Sequence, residues 1–185
     1  MLPQRISLIY IVLLSIFLSS CEVSCTVGDK NTPEDTKTKP VKKDGALLYN
    51  GIQLQTTQVQ VEKAYLVTND DKAERIGDDN FLDVNKGIKM VLLIGDGWKA
   101  LDEKVYLSGS MKVATTDGKV ILDQPDLFDR VREEGISITD SKILSLTVNF
   151  TSWNTNEPLT LNVDFNIQDK NSEARIEGSY QVYTK

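Results

Sequence analysis

No histidine occurs anywhere in the 185 residues. Histidine is the usual general base near neutral pH and the commonest metal ligand. Its absence excludes Ser-His-Asp and Cys-His catalysis, together with every His-bearing zinc site. Carboxylate chemistry, lysine chemistry and hard-cation binding remain. Cysteine is almost missing: Cys21 and Cys25 are the only two, too few for a disulfide framework. Aromatic residues make up only 7% of the chain, so its two tryptophans, Trp98 and Trp153, stand out as possible contacts. Long apolar runs are also lacking. The one at residues 6–17 falls short of the roughly 20 residues that cross a bilayer.

Positive charge is the minority sign. Beyond the first twenty residues the chain holds 20 basic and 27 acidic residues, a net charge of −7. Residues 22–44 contain five of each sign, so the whole acidic excess falls in 45–185. Such a domain repels phosphate backbones and anionic lipid surfaces, and no nucleic-acid partner is expected.

What the chain does have begins at its amino terminus. Arg5 precedes the apolar run, and small residues then lead to Cys21, the order of a secretory signal peptide. Leu18-Ser19-Ser20-Cys21 resembles the bacterial lipobox. The resemblance implies cleavage before Cys21, a thioether-linked diacylglycerol on its sulfur and acylation of the new amino terminus by a fatty acid such as palmitate. Each buried methylene contributes about 0.8 kcal/mol, so two or three chains anchor stably where one does not. Cys25 is then left as a spare thiol or a second acylation site. The expected organisation is a signal peptide over 1–20, a lipid-anchored tether over 21–44 and one domain over 45–185. The tether is too polar to offset its ordering entropy, and as a coil would hold the domain on the order of 25 Å from the membrane. The expected location is the cell envelope, at the outer membrane.

From residue 45 onward the hydropathy period is two. Ile52 and Leu54 alternate with Gln53 and Gln55, and the phase slips near Thr57, predicting a bulge or short turn. Residues 88–94 (IKMVLLI) read as a central strand closed by Gly95-Asp96-Gly97. Val105, Leu107, Gly109, Met111 and Val113 alternate next, and Thr116-Asp117-Gly118 marks a hairpin. Pro125, Asp126, Asp129 and Gly135 predict one short helix with Leu127, Phe128 and Val131 packed down. Three strands with one apolar and one polar face follow, near 144–150, 159–167 and 176–182. Seven to nine strands predict an all-β, antiparallel, immunoglobulin-like sandwich with a single core.

The segment from 105 onward resembles immunoglobulin-like β-sandwich lipoproteins of the Gram-negative envelope. The resemblance rests on Thr116-Asp117-Gly118-Lys119, Asp126-Leu127-Phe128, Asp164-Phe165, Asp169-Lys170 and Ile176-Glu177-Gly178-Ser179-Tyr180. These motifs describe turns and core positions, so the resemblance implies a fold and transfers no catalytic residue. The antibody Cys…Trp…Cys framework is missing.

Candidate sites are few. Six carboxylates between Asp70 and Asp83 form the densest polar patch; without EF-hand spacing they read as a solvated loop or a calcium site. Trp98 and Trp153 adjoin turns, where an indole can stack on a sugar or anchor a protein, or can pack into the core. No catalytic residue, metal ligand or cofactor is assigned. The expected role is non-catalytic binding or scaffolding of an unknown protein or glycan. The alternatives are a carbohydrate-binding accessory lipoprotein and a carboxylate-dependent hydrolase.

Overall fold

The computed structural model describes residues 22–27, 39–150 and 157–184. The signal peptide, Cys21 and Trp153 lie outside the described residues. Among those described, no helix is long and apolar enough to cross a membrane.

The protein is an antiparallel β-sandwich. Its strands are β1 (Glu22–Val27), β2 (Val41–Lys43), β3 (Ala46–Leu48), β4 (Gln53–Thr57), β5 (Gln60–Thr68), β6 (Phe81–Leu82) and β7 (Ile88–Asp96). There follow β8 (Lys104–Val105), β9 (Leu107–Thr115), β10 (Val120–Gln124), β11 (Ile136–Ser137), β12 (Ile143–Asn149), β13 (Thr160–Asp169) and β14 (Arg175–Thr184). The first sheet has the order β1-β12-β7-β5-β3-β2 and the second β10-β9-β13-β14-β4, with β6 continuing beside β14. Two short pairings are parallel, β3 with β5 and β6 with β14.

The core lies between the sheets. Leu66, Met90, Leu92, Leu144 and Leu146 from the first meet Met111, Val113, Leu161, Val163 and Ile176 from the second, all essentially inaccessible. Two glycines make room for large rings. A Cβ at Gly109 would come within 3.0 Å of Phe128, and one at Gly178 would collide with the Phe165 ring.

The phase slip near Thr57 has a larger meaning than a bulge. At this point the chain leaves β4 in the second sheet and enters β5 in the first, with Gln58 at φ 58°. A sheet change swaps the facing direction just as a register slip does, so the pattern alone does not separate them.

Two expectations are revised. Stretches of the supposed tether are strands: β1 pairs with β12 from Glu22↔Asn149 to Val27↔Leu144, and β2 pairs with β3. Backbone pairing at a sheet edge does not require apolar side chains, which is why composition missed it. The predicted helix is reduced to a 3₁₀ turn, Asp129–Val131. Its anchors are tertiary: Leu127 and Phe128 are buried, and the Leu127 N–H donates to Gly109 O at 2.8 Å. Gly135 does end the segment, at φ 66°.

Candidate functional site

The two faces of the sandwich differ. On the first sheet the outward side chains Tyr65, Val67 and Val91 are buried, with Tyr49, Ala73, Leu93 and Ile143 packed against them. The chain folds back here through a bridge between Val67 and Arg75. The Arg75 guanidinium lies 3.9 Å from the Tyr65 ring centroid and 4.4 Å from that of Tyr49, a cation–π stack. Ser145 and Thr147, polar in the sequence pattern, are buried as well.

The outer face of the second sheet is polar. Alternation along β13 and β14 turns Asn162 and Asp164 outward beside Gln181 and Ser179, which are their direct cross-strand partners. Gln53 on β4 stands opposite Ser179. These side chains line a groove of about 560 Å³ whose floor includes Asn50 and Asn80 and whose rim includes Tyr183. Gln181 Nε2 donates to Asn162 Oδ1 at 2.7 Å, so Asn162 keeps its Nδ2 donor and Gln181 its Oε1 acceptor. The groove thus presents a donor and an acceptor side by side. Asp164 is the one charged residue among those lining it.

A buried amide pair holds the floor rigid. Asn50, at φ 56°, shares the two hydrogens of its Nδ2 among Ile76 O, Gly77 O and Asn80 Oδ1 at 3.0–3.1 Å, and its Oδ1 accepts the Leu66 N–H at 3.0 Å. Asn80 Nδ2 donates to Asn50 O and Gln181 O, both at 2.8 Å. The pair ties β5 of the first sheet to β14 of the second. Beside it, the Tyr183 ring meets that of Phe81 at 6.0 Å between centroids, inclined by 57°.

Of the sequence-derived candidates, Trp153 lies outside the described residues and Trp98 falls elsewhere. Trp98 packs against the main core, and its indole N–H is buried without a hydrogen-bond partner. It precedes Lys99, whose N–H donates to Asp169 at the end of β13, whereas Tyr183 pairs with Thr160 at the start of that strand. Trp98 is therefore remote from the groove.

The acidic loop does not converge. Asp70 accepts from the Thr68 hydroxyl at 2.7 Å and the Ala73 N–H at 3.1 Å, and pairs with Lys86 at 3.3 Å. Asp79 and Asp83 cap their own turns. Among the described residues, no three Asp, Glu, His or Cys side chains gather as a metal site. The Thr68 hydroxyl, opposed by partial desolvation and helped by Lys86, holds Asp70 below the usual carboxylate range.

The groove residues escaped notice because they read as an ordinary solvent face. One signal was present. The polar phase of these strands is rich in Asn and Gln, where a merely solvated face favours Lys and Glu.

No protein-family profile matches the sequence, and no curated protein does. Among solved structures, the crystal structure of the C-terminal domain of wzt is similar over 73% of this chain and 78% of its own, with 8% sequence identity and a TM-score of 0.42.

Proposed function

We propose that this protein is a lipid-anchored lipoprotein of the bacterial cell envelope, held at the outer membrane through Cys21, and that its sandwich binds a neutral glycan without transforming it. The observation that carries the glycan reading is the adjacent amide pair Asn162–Gln181 in a groove edged by Tyr183. Vicinal sugar hydroxyls each donate and accept, so a neighbouring donor and acceptor fit them. An aromatic rim suits the apolar C–H face of a pyranose ring. Preorganised amides also lower the ordering cost of binding.

Charge narrows the ligand further. With Asp164 as its one charged side chain, the groove offers no cation to a phosphate or uronate. Glycoside hydrolysis by the usual route needs two facing carboxylates, which favours binding over cleavage at this groove.

Full-length protein in detergent, applied to an array of defined neutral and acidic oligosaccharides, tests the proposal. Neutral glycans should be retained, and Asn162→Ala and Gln181→Ala should each weaken retention about tenfold, the scale of one or two lost hydrogen bonds. An array with no retained glycan would sink the reading. The anchor has its own test: radiolabelled palmitate should enter the wild type and be lost in Cys21→Ala.

A further inference from the structure

We infer that the ligand is a chain of sugars, laid from the first groove across a ridge made by Phe81 and Tyr183 into a second groove. This rests on the glycan reading of the first groove. The second cavity, about 430 Å³, is lined by Phe81, Thr68, Glu74, Asp83, Asn85 and Lys86 among others. Both volumes fall in the roughly 300–1,000 Å³ range of small-molecule sites. The two cavities adjoin: Asn80 and Tyr183 line the first, and Phe81, next in sequence and paired with Tyr183, lines the second.

Phe81 is the aromatic member of the exposed large hydrophobics among the described residues. It is 47% accessible, while its neighbour Leu82 is 1% accessible and fills the core. Strand alternation forces this: burying Leu82 turns Phe81 outward. The ring's backbone is pinned, because the Tyr183 N–H donates to Asn80 O at 3.0 Å and the Phe81 N–H to Asp79 at 3.4 Å. A large apolar side chain on a pinned strand, set between a polar groove and one of mixed apolar and charged lining, is an anchor for a ligand with alternating apolar and polar surfaces. A polysaccharide has that character, with ring faces of C–H groups and rims of hydroxyls. Both cations of the second trough are already engaged, which favours a neutral sugar there too: Lys86 pairs with Asp70 at 3.3 Å, and the Arg75 guanidinium stacks on the Tyr65 ring at 3.9 Å.

The test is an array of size ladders, one to six residues, of neutral glucans, mannans and galactans, with full-length protein in detergent. Retention by the wild type should rise steeply between one and three residues. Phe81→Ala should weaken retention of trisaccharides and longer chains about tenfold and leave monosaccharides unchanged, while Gln181→Ala weakens every length. Phe81→Tyr, which keeps the ring, should bind as the wild type does. Equal retention of mono- and hexasaccharides, an unchanged ladder in Phe81→Ala, or equal losses in Phe81→Tyr and Phe81→Ala would overturn the ridge and leave the first groove standing. A blank array would overturn both.

Discussion

Tyr180 keeps a polar atom that its surroundings do not use. Its side chain is buried at 2% accessibility beside Phe165, with ring centroids 6.5 Å apart, and its hydroxyl has no hydrogen-bond partner. Burial alone pushes its phenol above the usual tyrosine range. An unsatisfied buried hydroxyl costs more than it returns. Tyr180→Phe should therefore raise stability, by about 1 kcal/mol or roughly 2–4 °C in melting temperature for a domain near 150 residues. Thermal melting checks this, and a lower melting point would show that the hydroxyl has a partner in solution. The sequence marked Tyr180 as a core position on its apolar phase, correctly. What it could not show is that no acceptor comes within reach.

At the scale of elements, the turn between β3 and β4 joins the two sheets, and Asn50 is its centre. A side chain that satisfies Leu66 N–H, Ile76 O, Gly77 O and Asn80 at once cannot be shortened without stranding buried groups. Its φ of 56° also disfavours alanine. Asn50→Ala should cost about 2–4 kcal/mol by denaturant unfolding. Asn50→Gly relieves the backbone and should recover only a small part, which separates hydrogen bonding from strain. Equal stability of the glycine variant and the wild type would refute the role of the amide network. A bare Asn-Gly pair in the sequence announces a turn, not a bracket between sheets. Its partners, Asn80 and Leu66, are 30 and 16 residues away.

The same distinction explains the 125–135 segment. Its Pro, Asp and Gly signals mark both ends, but so short a segment does not sustain an isolated α-helix. Burial of Leu127 and Phe128 decides its shape. By contrast, the hairpin at Thr116-Asp117-Gly118 formed as local chemistry requires, with Gly118 at φ 89° and its N–H donating to Thr115 O.

For the whole molecule, the lack of histidine sets the pH response. Asp70 and Asp117 are held low chiefly by the Thr68 and Thr115 hydroxyls. For Asp126, desolvation opposes the charged form, but the Phe128 N–H and Arg132 outweigh it and lower the value. A carboxylate depressed on folding contributes stability above its unfolded pKa of about 4, and loses it as pH falls through the lower folded value. Tyr180 acts oppositely: burial raises its pKa on folding, so the fold tolerates only the neutral phenol, and stability falls as pH rises from the unfolded pKa of about 10 towards the higher folded value. With no imidazole titrating between, melting temperature should be flat from about pH 5 to 9 and fall outside those limits. A pronounced slope between pH 6 and 7.5 in a melting series would contradict this.

Sequence alone determined the class of fold, because period-two alternation in the last strands and the apolar run at 88–94 are local properties of each strand. It also determined which chemistries are closed to the chain, since a missing residue type is missing in every fold. Only the tertiary structure decided which strands share a sheet, that the slip at Thr57 is a crossing between sheets, and that β1 belongs to the sandwich. The candidate site belongs to that second group. Gln53, Asn162 and Gln181 become one surface, beside the buried Asn50 and Asn80, only when strand pairing aligns their outward faces. Pairing register depends on the packing of both sheets at once, a collective quantity that no single stretch of residues encodes.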